Sequence, residues 1–412
     1  MKGRLGSVVG FVLLFTGMPV WADEPGVASL KAEVEVLRDR LSRLETKLSQ
    51  SASGSAAPME LSTMGLGGVQ LGGFVDTTYA YNFNVPQTNT NTLRVFDTRA
   101  NSFMLNSAEL NIKKPVSAES PVGFRTDLAF GTDAEVVGSV TTGLGLGTDE
   151  LDIQQAYVEY LAPIGNGLDV QVGKFVTLHG AEVIKSKDDW NISRSFLFGY
   201  AIPFTHTGIR ATYPWSDRFS TVVGVNNGWD LVDDNNQGKT VELGFSAVPM
   251  DKTSLAVTYM FGAEQANNNG KQRHLLDLVA GWQPIEPLQL KLNYDYGWED
   301  DAVAFKNNAV WHGRAGYARY ALSDKWAVTV RGEYFNDADA IRTAFNAGIN
   351  GRAGNHLRLT EWTLTSEYKL NAHLIGRVEY RHDWASERVF RAHDVAQRSY
   401  QDTVAVEFIA PF

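Results

Sequence analysis

One segment near the middle of the chain gathers ionisable side chains closely: Glu182, Lys185, Lys187, Asp188, Asp189 and Arg194. The stretch that follows, Ser195 to Phe204, is instead rich in Phe, Leu, Gly, Tyr and Ile. An apolar run of that kind is a liability on a water-exposed loop and has to pack on something. If the rest of the chain encloses a lumen, a loop over 178–204 that laid this side on the inner wall would turn its charges toward a narrow aqueous passage. Clusters of charge at a narrow point are how pores choose among ions and solutes. Arg125, Lys174, Arg210, Arg331, Glu333, Arg377 and Arg381 are the wall charges that could face them. A loop that caps the molecule from outside, with its charges solvated, fits the same residues.

Other chemistry is less well supplied. His206 stands between Thr205 and Thr207, near Ser193 and Ser195, and His382 adjoins Asp383. Neither has a spacing characteristic of a base held beside a nucleophile and oriented by a third group, so no catalytic residue is expected. Asp230, Asp233, Asp234, Asn235 and Asn236 make an oxygen-rich loop without the fixed spacing and closing Glu of an EF-hand, and no metal or cofactor is expected. The chain has no cysteine, which excludes disulfides and thiolate-held metals. Its net charge of −10 argues against nucleic acid as a partner.

What could hold such a loop and wall is written in alternation. Leu288, Leu290, Leu292, Tyr294, Tyr296 and Trp298 alternate with Gln289, Lys291, Asn293, Asp295 and Gly297. Trp326, Val328, Val330 and Tyr334 oppose Arg331 and Glu333, and Leu374, Val378 and Tyr380 oppose Arg377, Glu379, Arg381 and Asp383. Period-two alternation with charges confined to one face fits strands that have lipid on one side and a water-filled lumen on the other. Trp326 and Tyr334, eight positions apart on the apolar side, span roughly 20 Å at ~3.3 Å per residue and a ~40° tilt, close to the height of an outer-membrane belt.

Short turns are expected near 114–121, 163–167, 214–217, 248–252, 284–287, 322–325 and 370–373, with longer polar loops between them. Seven short turns and eight long loops make an all-β, antiparallel transmembrane barrel of about 16 strands over 69–412. The strand near Ala309 to Leu322 is the hardest to phase, because Arg314 and Arg319 defeat either choice.

The ends add destination. Lys2 and Arg4 before the apolar run Val8 to Phe15, with Val20, Trp21 and Ala22 behind, read as a signal peptide over 1–22. Val27, Leu30, Val34, Leu37, Leu41, Leu44 and Leu48 then fall at alternating spacings of three and four, an a/d seam over 23–50. Glu33 with Arg38 and Arg40 with Glu45 would pair across a parallel coil, so a periplasmic oligomerisation helix is expected, with a lone amphipathic helix as the alternative. A Ser/Ala/Gly-rich linker follows over 51–68. At the other end Val404, Val406, Phe408, Ala410 and Phe412 share one face. A strand closing on an aromatic residue resembles the signal read by the outer-membrane barrel assembly machinery, with Phe412 and Phe408 carrying it.

Four runs carry a family resemblance: NISRSFLFGYAIPFTHTGIRATYP (Asn191 to Pro214), QQAYVEY (Gln154 to Tyr160), GKFVT (Gly173 to Thr177) and NNGWD (Asn226 to Asp230). On these, the barrel resembles the putative β-barrel porin-2, OmpL-like, family of outer-membrane proteins. The resemblance implies a porin-type channel for small hydrophilic solutes or ions and names no solute. Some trimeric porins carry an N-terminal coiled coil, so it also implies a homotrimer in contact with outer-membrane lipid and lipopolysaccharide. A barrel that only tethers the envelope, and a barrel hydrolase, are the other function classes.

Overall fold

The computed structural model describes residues 59–60, 67–138, 151–303, 306–343 and 356–412. The expected leader, the heptad segment and all but a few residues of the linker lie outside them.

Sixteen strands follow one another as a meander: β1 Gln70–Asn82, β2 Ser102–Lys114, β3 Val122–Phe130, β4 Leu151–Ala162, β5 Leu168–Val176, β6 Thr205–Ser216, β7 Phe219–Asn226 and β8 Thr240–Ala247. They continue with β9 Thr253–Ala263, β10 Gln272–Ile285, β11 Leu288–Val303, β12 Lys306–Ala321, β13 Trp326–Asp337, β14 Leu357–Asn371, β15 Leu374–Ala385 and β16 Tyr400–Pro411. Every neighbouring pair is antiparallel, and β16 returns to β1 with Thr403 opposite Asn82 and Pro411 opposite Phe74. The sheet is therefore a closed barrel with no exposed edge. A two-residue strand, Met59–Glu60, pairs with the start of β1 inside the expected linker.

A short connection lies at or beside each of the seven expected turns; three are only two residues long, 217–218, 286–287 and 372–373, because the strands run into the expected turns, and the first of these reaches one residue past the expected 214–217. The opposite end differs at one place. Both strands run long there, β11 to Val303 and β12 from Lys306, so only two residues connect them where a long outer loop is expected.

Alternation sorts the faces as expected. Leu292, Tyr294, Tyr296, Trp326, Val330, Trp362, Leu364 and Tyr368 look outward and are exposed, whereas Arg331, Glu333, Glu361, Arg377, Glu379 and Arg381 look into the barrel and are buried. The difficult strand β12 resolves once its partners are seen. Trp311, Ala315 and Tyr317 are buried inside, and Arg319 joins them to reach Glu367 at 2.7 Å. Arg314 has the other parity and points outward.

Two glycines allow close approaches that a side chain would block. A Cβ on Gly73 would meet the Glu109 carbonyl at 2.1 Å and the Phe412 ring at 2.5 Å, so the seam of the barrel closes only over a bare backbone. A Cβ on Gly297 would meet the ring of Trp311, its partner across β11 and β12, at 2.1 Å. Trp311 can therefore lie flat on the inner wall, where its Nε1–H donates to the Ala201 carbonyl at 3.0 Å.

Candidate constriction and its family

The connection between β5 and β6, residues 177–204, is folded into the lumen. It has two halves held by different physics. The apolar half contains a single π-helical turn, Leu197–Ala201, and buries Phe196, Leu197, Phe198, Ile202 and Phe204. They pack against Met260, Leu275, Trp311, Ala315, Phe335, Leu357 and Leu359, inward-facing residues of β9, β10, β12, β13 and β14. Each buried side chain of this size is worth about 1.5–3 kcal/mol. Sequence reasoning missed these wall residues. Their signal is a pair of adjacent apolar residues near a strand's outer end, as at Met260–Phe261, Leu275–Leu276 and Tyr334–Phe335, where one member faces lipid and the other must face something dry.

The polar half, 180–195, is an irregular arm whose backbone has no ladder to join, and buried N–H and C=O groups must be paired. The charged wall residues pair them. Gly180 N–H donates to Asp277 (3.1 Å) and Ala181 N–H to the Asn293 side-chain oxygen (3.2 Å). Glu379 accepts from the N–H groups of Ile192 (2.7 Å) and Ser193 (3.0 Å), and Glu333 from Phe196 (2.5 Å) and Leu197 (3.2 Å). Arginines take the carbonyls: Arg331 donates to Ser193 O (2.6 Å), Arg377 to Ser186 O (2.9 Å) and Asp189 O (2.7 Å), and Arg381 to Arg194 O (2.5 Å). Wall carboxylates and guanidinium groups thus stand in for the missing strand. Glu361, Glu367, Glu379, Glu407, Asp277 and Asn293, which were not among the expected pore residues, complete the set.

The individually predicted residues divide accordingly. Glu182 is buried, meets Arg331 at 2.7 Å and accepts from the Ser195 N–H and hydroxyl at 2.7 Å. Arg331 and Arg377 hold wall partners too, Glu361 at 2.7 Å for the first, and Glu367 and Glu407 at 2.8 and 3.0 Å for the second. Arg381 holds Asp383 at 2.7 Å. Arg194 and Asp189, expected to face the opening, are instead buried against each other at 2.9 Å, and Arg194 donates to the carbonyls of Val183, Ile184 and Ile192 within its own loop. Lys185 reaches Glu109 and Asp127, tying the arm to β2 and β3. Lys187 and Asp188 pair at 2.8 Å with side chains 21% and 51% exposed, so these two present charge to water.

Two wall residues, Arg210 and Lys174, stand apart from the loop's charges, and Arg125 meets them only through Asp127, which it shares with Lys185. Arg210 is clamped by Glu242 at 2.8 Å and stacks over Phe175 at 4.1 Å. Lys174 pairs with Asp152 at 2.8 Å. Arg125 pairs with Asp127 at 2.9 Å and keeps 29% of its side chain exposed, next to Lys113, its cross-strand partner on the same inward face. At the seam, Phe412 exchanges backbone hydrogen bonds with Gly73 at 3.0 and 3.1 Å, while Phe408 faces outward beside it.

No constellation for hydrolysis assembles among the described residues. His206 is buried, with ring nitrogens 3.1 Å from Gly228 O and 3.3 Å from the Thr177 hydroxyl. His382 meets Asp402 at 2.8 Å rather than the adjacent Asp383, which turns inward. Asp230 accepts from the N–H groups of Phe204 and Thr205 at 2.7 and 3.0 Å, closing the third loop rather than opening a cation site. Among the described residues no group of three His, Asp or Glu is placed to hold a metal.

The sequence model of the family described as putative beta-barrel porin-2, OmpL-like, matches residues 68–412. The chain belongs to this family of outer-membrane porins. Solved structures agree on the fold at low identity. The anion-selective porin from Comamonas acidovorans superimposes with a TM-score of 0.56 at 12% identity, covering 84% of this chain and 99% of that one. The outer membrane channel DcaP of Acinetobacter baumannii gives 0.53 at 13%, covering 84% and 97%. The trimer form of OmpT, an outer membrane protein of Vibrio cholerae, gives 0.55 at 12%, covering 84% and 99%. No curated protein matches the sequence. Family membership and barrel together make this a protein of the Gram-negative outer membrane.

Proposed function

We propose that the barrel passes small hydrophilic solutes or ions by passive diffusion, and that its third loop forms the constriction. The observation that carries this is the binding of the 180–195 arm to β2, β3, β10, β11, β13, β14 and β15, which lays it across the lumen on the side away from β4 to β9. Water-facing charges then line what is left: Lys187 and Asp188 on the loop, and Lys113, Arg125 and Glu159 on the wall. A channel role, rather than a hydrolase, is supported by the way the histidines are consumed in structural hydrogen bonds.

In the same reading, 1–22 is the signal peptide, 23–50 a periplasmic coiled-coil helix, and 51–68 a linker to the barrel. The protein works as a homotrimer whose insertion uses Phe412 and Phe408. The heptad seam supports the oligomer, as does a trimeric form among the structurally similar barrels.

Single-channel recording of the refolded full chain in planar bilayers, with salt gradients and then liposome swelling with uncharged and charged solutes, tests the proposal. Stepwise openings of stable size are expected. A barrel sealed by its loop would give no steps and no swelling, and the structural tethering role would then replace transport.

A further inference from the structure

Arg314, which no strand phase accommodates in the sequence, marks a second site on the outside of the barrel. It lies on β12 directly between Tyr294 of β11 and Tyr334 of β13. It is exposed, lies over the face of Tyr334 at 5.8 Å from the ring centre, close enough to His312 to act on its charge, and has no acidic partner among the described residues. Tyr334 stands eight residues along β13 from Trp326, which puts the two rings at opposite belts roughly 20 Å apart. Arg314 is therefore at the outer belt, level with lipid headgroups, where an outward arginine costs only ~0–1 kcal/mol, against ~2–4 at the midplane.

Its neighbours on the same outward face are donors as well. His312 is one outward step above Arg314, stacked on Tyr296 at 6.2 Å and tilted against Tyr334 at 6.3 Å, and its Nε2 is 3.1 Å from the Asn336 side-chain nitrogen. Asn336 sits directly opposite both His312 and Arg358. Arg358 is exposed, and among the described residues its guanidinium has no acidic partner. The outward Asp402, by contrast, is held within the wall by His382 at 2.8 Å and Tyr380 at 2.6 Å. The outward acid on β11, Asp300, lies opposite Asn308, two outward steps above His312 or ~13 Å along the strand. Two guanidinium groups without an acidic partner among the described residues, an imidazole and an amide thus converge on the lipid side, over a shelf of tyrosines.

We propose that this patch docks the phosphorylated headgroup of an outer-leaflet glycolipid, with Arg314 and Arg358 binding phosphate oxygens and the aromatic shelf meeting the sugar and upper acyl chains. Guanidinium groups suit phosphate because they donate in a planar fork and are weakly hydrated. Lipid held here would cover the outer ends of β11 to β14, the strands on which the third loop's apolar half is seated.

Native mass spectrometry of the detergent-solubilised full chain, titrated with bis-phosphorylated lipid A and with its dephosphorylated form, tests this. The phosphorylated lipid should stay bound where the dephosphorylated form does not. Arg314→Gln with Arg358→Gln should weaken retention about tenfold or more, the worth of a lost charge-assisted hydrogen bond. Arg314→Lys with Arg358→Lys should recover part of it, and Arg218→Gln, at the opposite rim, should change nothing. Heat-modifiable migration on gels confirms that each variant is folded. Equal retention by the double Gln variant and the unaltered chain would overturn the proposal. So would displacement of the lipid by inorganic phosphate alone, or a double variant that loses its oligomer while keeping its lipid, since the face would then be a free-anion site or a protomer contact.

Discussion

Replacing Arg331 by Met tests whether wall charges hold the third loop. The guanidinium is fully buried and makes five hydrogen bonds, to Glu361 (2.7 Å), Glu182 (2.7 Å), Ser193 O (2.6 Å), the Ser193 hydroxyl (3.2 Å) and the Thr363 hydroxyl (3.3 Å). Methionine keeps most of the volume but leaves Glu182 and Glu361 without their cation, and removing one partner of a buried pair costs about 3–5 kcal/mol. Three of the five bonds reach the loop, so about 2–3 kcal/mol falls on its docking, a roughly thirty- to hundred-and-fifty-fold rise in the undocked arm. The apolar half resists: Phe196, Leu197, Phe198 and Ile202 together contribute ~6–12 kcal/mol, so the arm is released and the rest of the loop stays. The chain has no cysteine of its own, and Ser186 on the arm is a small, buried side chain beside Asp76, so Ser186→Cys is a single reporter of the arm's release. Its labelling by a membrane-impermeant thiol reagent should speed up by that factor in the Arg331→Met background, with larger and noisier conductance steps. Unchanged labelling and unchanged conductance in a folded variant would refute the view that Arg331 latches the arm.

Charge selectivity should follow exposure rather than proximity to the loop. Lys113→Gln with Arg125→Gln should move the reversal potential toward cations and Asp188→Asn toward anions, whereas Arg194→Gln, at a buried site, should lower heat stability and leave the reversal potential where it was. Burial lowers the His179 imidazole from its usual 6.5 to about 4, so this group binds less proton in the docked loop than in the free loop between those values. The His179 contribution to docking is then lost as pH falls from about 6.5 toward 4, so His179→Gln should show less Ser186→Cys labelling at the acid end of that window than the chain that keeps His179. Gly73→Ala should prevent seam closure, because the added carbon meets backbone at 2.1 Å; the readout is loss of the heat-modifiable folded band, while Gly316→Ala, where the nearest atom is 3.6 Å away, should fold normally.

The barrel was legible in the sequence because its solvent is two-sided. Lipid and water impose a period of two on every strand, and turns such as 163–167 and 286–287 are marked by Pro and Gly, so strand number and the faces of Arg331, Arg377 and Arg381 could be read directly. Alternation gives a face, however, and says nothing about what lies against it. That is why Arg194 and Asp189 could be placed on the right loop and still be expected in water, when they are buried together. The sixth outer connection was missed for a similar reason: Glu299, Asp300 and Asp301 look like loop residues, yet β11 continues through them above the belt.

A lumen arginine in such a barrel has two possible physical roles, to set the field in a water-filled passage or to satisfy backbone that has left the sheet. The second uses the charge up. Arg331, Arg377 and Arg381 each spend donors on loop carbonyls and on one or more wall carboxylates, and Glu333 and Glu379 each accept two loop N–H groups. The passage is therefore shaped by one set of charges and biased by another, smaller set that the loop leaves exposed, Lys113, Arg125, Lys187 and Asp188. Because the two sets share almost no members, substitution in the exposed set can retune selectivity without loosening the loop.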